Sequence, residues 1–493
     1  MNRQIRQLAV GLLACYVLLF VALNYWQVGR QRELNARIDN TRAIRRQFDE
    51  PRGDIITADG VVVATSIENP PGSEFKYQRQ YPTGELFANV TGYYTLGLGA
   101  TQLEKSQNDV LAGSTAEQQI LNLPGIITGS DSAGDVRLTL RDDLQRVARD
   151  ALGERRGSVV VMNPRTGAIN AMWSYPSYDP NLVAVPDFDE ASAVIEFLTN
   201  SPGDPLLANA YQQRYMPGST FKVITTGIAL EAGLVSPETV FPDETQFVPP
   251  QTDNPIQNFR GTVCGGDLNE VFTRSCNIPF AKMALEVGVN GMIEGTADWG
   301  IGERLPIDLP RPAASTFGST DNLNQALPAL AMRGFGGEEV QMVPLHMAMV
   351  ASTIANGGEM MKPYVVDATI ANNGTVLERT DPEVWRTPIT PSTALTIASM
   401  MESVATEGTA SCCIALNNGI PVAAKTGTAQ LNATGEPERS HAWIVAYAPA
   451  NDPQYAVAVL IQGTNAEISA STGGRLAGPV AKTVLDAALA GGG

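Results

Sequence analysis

"PGSTFK", residues 217–222, places a serine three residues before a lysine, directly after a proline and a glycine. Pro217 and Gly218 do not extend a helix backwards, so the pattern predicts a helix over residues 219–230, ending near Gly233. At a helix start, unpaired N–H groups and the positive dipole end favour developing negative charge, which suits a nucleophilic oxygen at Ser219. Spacing of i to i+3 sets Ser219 and Lys222 on one face. The chain of 493 residues has only two histidines, His346 and His441, so attention moves from a Ser-His-Asp arrangement to lysine as the base. The apolar run "FKVITTGIAL" around Lys222 predicts burial, which lowers a lysine pKa.

Spacing alone is weak evidence, because Ser73 and Lys76 in "GSEFK" match it equally well. That copy lies between "NPPG" and "YQRQYPTG" and has no apolar helical face behind it, so the Ser219 copy is preferred. Two further elements support the choice. "RSCN" carries Ser275 and Asn277 before an apolar helix, and "AAKTGTAQ" carries Lys425, Thr426, Gly427 and Thr428 on a strand-like run. A second S-x-N, from Ser106 to Asn108, sits in a polar stretch and reads as a surface loop.

Working outward, "GSVVVMNPRTGAINAMWS" (157–174) reads as two apolar strands joined by a turn at residues 163–167. Helices follow around residues 278–287 and 345–356, then strands in "HAWIVAYAP" and "YAVAVLIQG", and a last helix in "GPVAKTVLDAALA". This order predicts an α+β fold with a partly antiparallel sheet covered by helices. Upstream, residues 52–135 are rich in Gly, Pro and short strands, with an Asp59-Gly60 hairpin turn, and read as a small mixed domain. "VRLTLRDDLQRVARDALGE" switches to helical period and forms the junction. The expected organisation is residues 1–30 as cytoplasmic tip and anchor, 31–153 as stalk and pedestal, and 154–493 as the large domain.

Residues 8–26, "LAVGLLACYVLLFVALNYW", form an apolar run long enough to cross a bilayer, closed by Tyr25 and Trp26. No small-x-small cleavage site follows, so the run reads as an anchor rather than a cleaved signal, and Cys15 in "LLAC" as a buried membrane cysteine. Arg3 and Arg6 precede the span and six arginines between residues 30 and 46 follow it, a count that opposes translocation of the C-terminal side. Long domains translocate largely regardless of such charges, so the chemistry downstream decides the side. With 34 basic and 51 acidic residues the net charge is -17, which disfavours nucleic acid as a partner. The five cysteines are too few for a disulfide-built scaffold; Cys264 and Cys276 are either bridged or free thiols, and Cys412 and Cys413 are adjacent.

S-x-x-K, S-x-N and K-T-G in this order resemble penicillin-binding proteins and serine β-lactamases. "RGDIITADG", "RQYPTGELFANVTGYY" and "LEKSQNDVLAG" further resemble the pedestal of class B penicillin-binding proteins, nearest to the short actinobacterial penicillin-binding protein A type. "PSYDPN", "EGTA" and "HAW" extend the likeness through the large domain. The resemblance implies a membrane helix, a pedestal domain and a β-lactamase-like transpeptidase domain. It also implies D,D-transpeptidation of peptidoglycan stem peptides, with acylation of the same serine by β-lactams. Ser219 would be the nucleophile, Lys222 its base, Ser275 a proton relay and Asn277 a substrate-amide ligand. Lys425, Thr426, Gly427 and Thr428 would bind the terminal carboxylate, with the N–H groups of Ser219 and Thr428 as oxyanion hole. It implies no metal or organic cofactor. It implies a membrane glycosyltransferase partner of the shape, elongation, division and sporulation family, because about one hundred upstream residues fall below a typical domain. The catalytic domains would then lie outside the membrane. A β-lactamase is disfavoured, since no E-x-x-L-N occurs. The alternatives kept are a D,D-carboxypeptidase and a non-catalytic β-lactam sensor or scaffold. His346, in an apolar helical setting, reads as a satisfied histidine near the core; His441 in "HAW" matches a position of the family, its role left open against plain hydrogen bonding in a hairpin; and Asn-x-Thr at Asn89 and Asn432 reads as chance.

Overall fold

The computed structural model describes residues 2–25, 48–122, 132–431 and 439–491. The stalk between residues 26 and 47, with Trp26 and its arginines, and the Asn-x-Thr at Asn432 lie outside the described residues. The chain separates into two units, one of Met1–Pro51 with Ser66–Gln78 and one of Arg52–Thr65 with Arg79–Gly493.

In the first unit, Asn2–Asn24 is a helix of leucine, valine and alanine, residues that lose little on helix formation or pack readily in lipid. Its span from Arg3 to Asn24 has 22 residues, with a mean hydropathy of 2.1 over an 18-residue stretch of it. At 1.5 Å rise per residue it reaches roughly 33 Å, enough to cross a hydrocarbon core. Ser73 lies in a turn of this unit, its hydroxyl donating to Pro70 O at 2.8 Å. Lys76 is exposed, and its nearest phenol, Tyr77, holds its ammonium above the usual lysine value. The second S-x-x-K copy thus lacks the burial that lowers a lysine pKa.

A six-stranded sheet runs in the order Val376–Arg379, Val366–Ile370, Asp135–Leu138, Ile55–Ile56, Val62–Glu68 and Tyr77–Gln80. Gly60 at φ 85 makes the predicted hairpin turn between Ile55–Ile56 and Val62–Glu68. Glu104 anchors this region: its carboxylate meets Arg52 Nε and Arg79 Nε, each at 2.6 Å, and accepts from Tyr81 at 3.2 Å. Burial acts to raise the Glu104 pKa, but the two guanidiniums outweigh it and the net shift is downward. The Asn108 of the spare S-x-N belongs to this network, accepting from Arg52 at 3.0 Å, which gives it a structural task.

The large sheet has five antiparallel strands in the order Ala423–Gln430, Ser440–Ala448, Tyr455–Ile461, Gly157–Met162 and Ile169–Tyr175. Every residue of Gly157–Met162 is buried, which explains why these strands read as continuous apolar runs rather than alternating ones. Helices Asp142–Leu152 and Gly473–Ala490 pack on each other and on the sheet, and Pro344–Ala355 packs on its central strands. In Asp142–Leu152 the buried side chains include Leu144, Ala148 and Leu152, the face given by the helical period. Among the described residues, Ala423–Gln430 has a sheet neighbour on one side only, so alternate N–H and C=O groups along its other edge can meet a ligand.

Two helices differ from the expected bounds. The 278–287 helix continues as Ile278–Asp298 across a break at Gly288, φ 77, because apolar residues resume beyond that glycine. The last helix begins at Gly473 rather than Gly478, with Pro479 in its second turn.

Candidate active site

The segment bearing Ser219 is not α-helical at its start. Gly218–Phe221 is a 3-10 turn and the α-helix begins behind it, as Lys222–Glu231. Lys222 is the first residue of that α-helix, three positions after Ser219, so both residues fall on one face. Gly218 takes φ 54, a left-handed value, and its N–H donates to Gly336 O at 3.0 Å. The turn is pressed against the Ala423–Gln430 strand. A Cβ on Gly427 would meet Pro217 O at 2.6 Å, and one on Gly218 would meet Thr428 O at 2.7 Å. Trp443 Nε1 donates to Met216 O at 2.9 Å and fixes the approach to the turn from the next strand.

Lys222 is fully buried, and its Nζ donates to Ser275 O at 2.8 Å and to Asn277 Oδ1 at 2.9 Å. Ser275 Oγ lies farther, at 3.4 Å, and among the described residues no hydrogen bond joins Lys222 to Ser219 Oγ. A neutral amine has two N–H donors and one lone pair, so those two close acceptors use both donors and leave the lone pair free. Burial drives the Lys222 pKa well below the usual lysine value, and Lys425 nearby pushes the same way. Its Nζ also sits 5.1 Å from the centroid of the Phe280 ring.

Ser275 adopts φ 59, a left-handed backbone that a serine seldom takes outside over-determined sites. Its Oγ accepts from Lys425 Nζ at 2.7 Å, and Lys425 also donates to Thr426 O at 3.2 Å. Burial alone brings Lys425 down to about 7. The serine of the second motif therefore lies between the lysines of the first and third. Thr426 Oγ1 is 2.6 Å from Thr409 Oγ1, and Thr428 Oγ1 accepts from Gly473 N at 3.2 Å.

The S-x-N segment is held by a residue that sequence reasoning missed. Asn258 Oδ1 accepts from Asn277 N at 2.9 Å and Ile278 N at 3.2 Å, while its Nδ2 donates to Glu244 O at 2.8 Å and Thr262 O at 3.2 Å. Asn277 Nδ2 in turn donates to Gln257 O at 3.1 Å. Cys276, between Ser275 and Asn277, is bonded to Cys264, with Cα atoms 5.8 Å apart. Cys412 and Cys413 are likewise bonded to each other. A lone asparagine in a loop carries no local signal; its partners only become neighbours on folding.

Among the described residues, neither histidine hydrogen-bonds to a residue of the three motifs. His346 is buried with Nδ1 2.8 Å from Ser315 Oγ and Nε2 2.8 Å from Trp299 O, a satisfied core residue whose pKa burial lowers to about 4. His441 Nδ1 accepts from Gly463 N at 3.1 Å, its ring meets Tyr215 edge-on, and burial lowers it to about 4.

The chain matches two family models: the penicillin-binding protein transpeptidase domain over residues 157–486 and the penicillin-binding protein A dimerisation domain over residues 52–136. It is 36% identical to the peptidoglycan D,D-transpeptidase PbpA of Mycolicibacterium smegmatis, covering 99% of both chains. Against the PbpA of Mycobacterium tuberculosis the identity is 34% over 100% of both. A ceftriaxone acyl-enzyme complex of M. tuberculosis penicillin-binding protein A superposes with a TM-score of 0.83 at 32% identity, covering 90% of this chain and 99% of that one. The penicillin G acyl-enzyme complex gives 0.81 at 32%, covering 89% and 100%. By these matches and this site, the chain belongs to the class B penicillin-binding proteins of the penicillin-binding protein A type.

Proposed function

We propose that this chain is a peptidoglycan D,D-transpeptidase acting in cell-wall synthesis, and that Ser219 is the residue acylated by stem peptides and by β-lactams. Its family membership supports the reaction class. The observation that carries the residue assignment is the commitment of Lys222's two donors to Ser275 O and Asn277 Oδ1, which leaves a neutral amine's lone pair for a proton.

Neutral Lys222 takes the Ser219 proton as Oγ attacks the carbonyl carbon between two D-alanines. The N–H groups of Ser219 and Thr428 stabilise the oxyanion that forms. Collapse breaks the C–N bond, and Ser275 passes its proton to the departing amine while recovering one from Lys222. Lys425 holds Ser275 Oγ in place for that transfer, and its charge keeps Lys222 deprotonated. Asn277 holds the substrate amide, and Thr426 and Thr428 take the terminal carboxylate against the flat edge that Gly427 permits. The amine of a neighbouring stem peptide then attacks the ester. Its proton returns by the same groups to Ser219 Oγ, freeing the enzyme and leaving a crosslink.

In this reading residues 1–30 anchor the protein in the membrane, residues 31–153 form stalk and pedestal, and residues 154–493 carry the reaction outside it. A membrane glycosyltransferase of the shape, elongation, division and sporulation family supplies the glycan strands. Replacement of Lys222 or Lys425 by alanine should abolish crosslinking in cells while leaving a folded protein. Normal crosslinking by either variant would favour a sensor or scaffold, and release of D-alanine without transfer to an added amine would favour a carboxypeptidase.

A further inference from the structure

We infer that Thr409 is a positioning residue for substrate recognition, donating its hydroxyl proton to Thr426 Oγ1 so that Thr426 points its own proton at the substrate carboxylate. This rests on the assignment of Thr426 and Thr428 as carboxylate ligands. A threonine hydroxyl has one proton and rotates freely, so a neighbour that donates to its oxygen biases that proton toward a bound anion. Each of the two ligands has such a neighbour. Gly473 N donates to Thr428 Oγ1 at 3.2 Å, and Thr409 Oγ1 lies 2.6 Å from Thr426 Oγ1.

The need for hydroxyl donors is set by Lys425. Its ammonium is fully buried and spends two of its three donors on Ser275 Oγ, 2.7 Å away, and Thr426 O, so hydroxyl donors must share the grip on the carboxylate. A chain from Thr409 through Thr426 to a carboxylate strengthens along its length, since each donor is polarised by the next. The turn bearing Thr409 follows helix Pro391–Thr406 and is wedged in place. A Cβ on Gly474 would meet Thr409 O at 2.4 Å, and one on Gly408 would meet Thr273 O at 2.6 Å. Thr273 ends the helix that feeds Ser275, so the same turn touches the approaches to two motifs.

The test uses the full chain in detergent and compares acylation by benzylpenicillin with acylation by its methyl ester, which lacks the anionic carboxylate. Thr409→Val should slow benzylpenicillin acylation by roughly tenfold, the scale of one charge-assisted hydrogen bond, and leave the ester unchanged. Thr409→Ser should restore the rate to within about twofold, because it keeps the donor. In a Thr426→Val background, Thr409→Val should add nothing. Equal slowing of both ligands by Thr409→Val, no slowing of benzylpenicillin, or an additive double variant would overturn the inference. If Thr426→Val itself leaves the ratio of the two rates unchanged, the carboxylate assignment fails and takes the inference with it; a selective loss in Thr426→Val with none in Thr409→Val sinks the inference alone.

Discussion

Lys425 Nζ lies 2.7 Å from Ser275 Oγ, so the lysine of the third motif is hydrogen-bonded to the serine of the second. Two buried lysines thus flank one hydroxyl; burial lowers the pKa of both, and Lys425 lowers that of Lys222 further.

That arrangement predicts a bell-shaped pH dependence of acylation. Lys222 must be neutral, and its depressed pKa opens that form well below the usual lysine range, giving the rising limb. Lys425 must stay charged, and loses its proton near about 7, giving the falling limb. Lys425→Arg, which does not deprotonate, should remove the falling limb while lowering the peak rate through poorer fit. A fluorescent penicillin followed by stopped flow gives both profiles; an unchanged falling limb in Lys425→Arg would assign it to another group.

Much of this centre is legible in the sequence, and the reason is physical. Ser219 and Lys222 are neighbours in one turn, and strand and helix periods around the three motifs are local signals. The structure still departs from the α-helix expected at Ser219, because left-handed Gly218 and the pressing strand edge favour a tighter 3-10 turn. Contacts that depend on distant pairing carry no local pattern. Asn258 and Thr409 are ordinary loop residues until folding brings them to Asn277 and Thr426. Likewise Val366–Ile370 returns from far downstream to pair with Asp135–Leu138, a partner no periodicity names.

Asn258→Ala should loosen the S-x-N segment. It removes the acceptor of Asn277 N and Ile278 N, and one buried unsatisfied donor costs about 1–3 kcal/mol. Chemical denaturation should show that loss, with acylation falling as well; a stable variant with normal acylation would mean the segment is held elsewhere.

Gly427→Ala tests the close contact between strand and nucleophile turn. The added Cβ would sit 2.6 Å from Pro217 O, forcing the two apart. Misplacement of about 1 Å can cost on the order of hundredfold in rate, so acylation should collapse while the melting temperature changes little. Retained acylation would show that the strand gives way without moving the site.

Glu104→Gln removes the buried carboxylate that both Arg52 and Arg79 meet. Breaking such a pair costs about 3–5 kcal/mol, and the loss should appear in denaturation of the second unit. The sign with pH follows from the lowered Glu104 pKa: its stabilisation is present above the unfolded value of 4.5 and disappears as pH falls through the folded one. Wild type should therefore lose stability on acidification more steeply than Glu104→Gln; parallel curves would contradict this.

The central claim is that Ser219, and not the matching Ser73, carries the acyl group. Intact mass and peptide mapping after incubation with benzylpenicillin test it most directly. The account predicts one adduct per chain, on the peptide containing Ser219, and none in Ser219→Ala. An adduct on the Ser73 peptide, or undiminished labelling of Ser219→Ala, would contradict it.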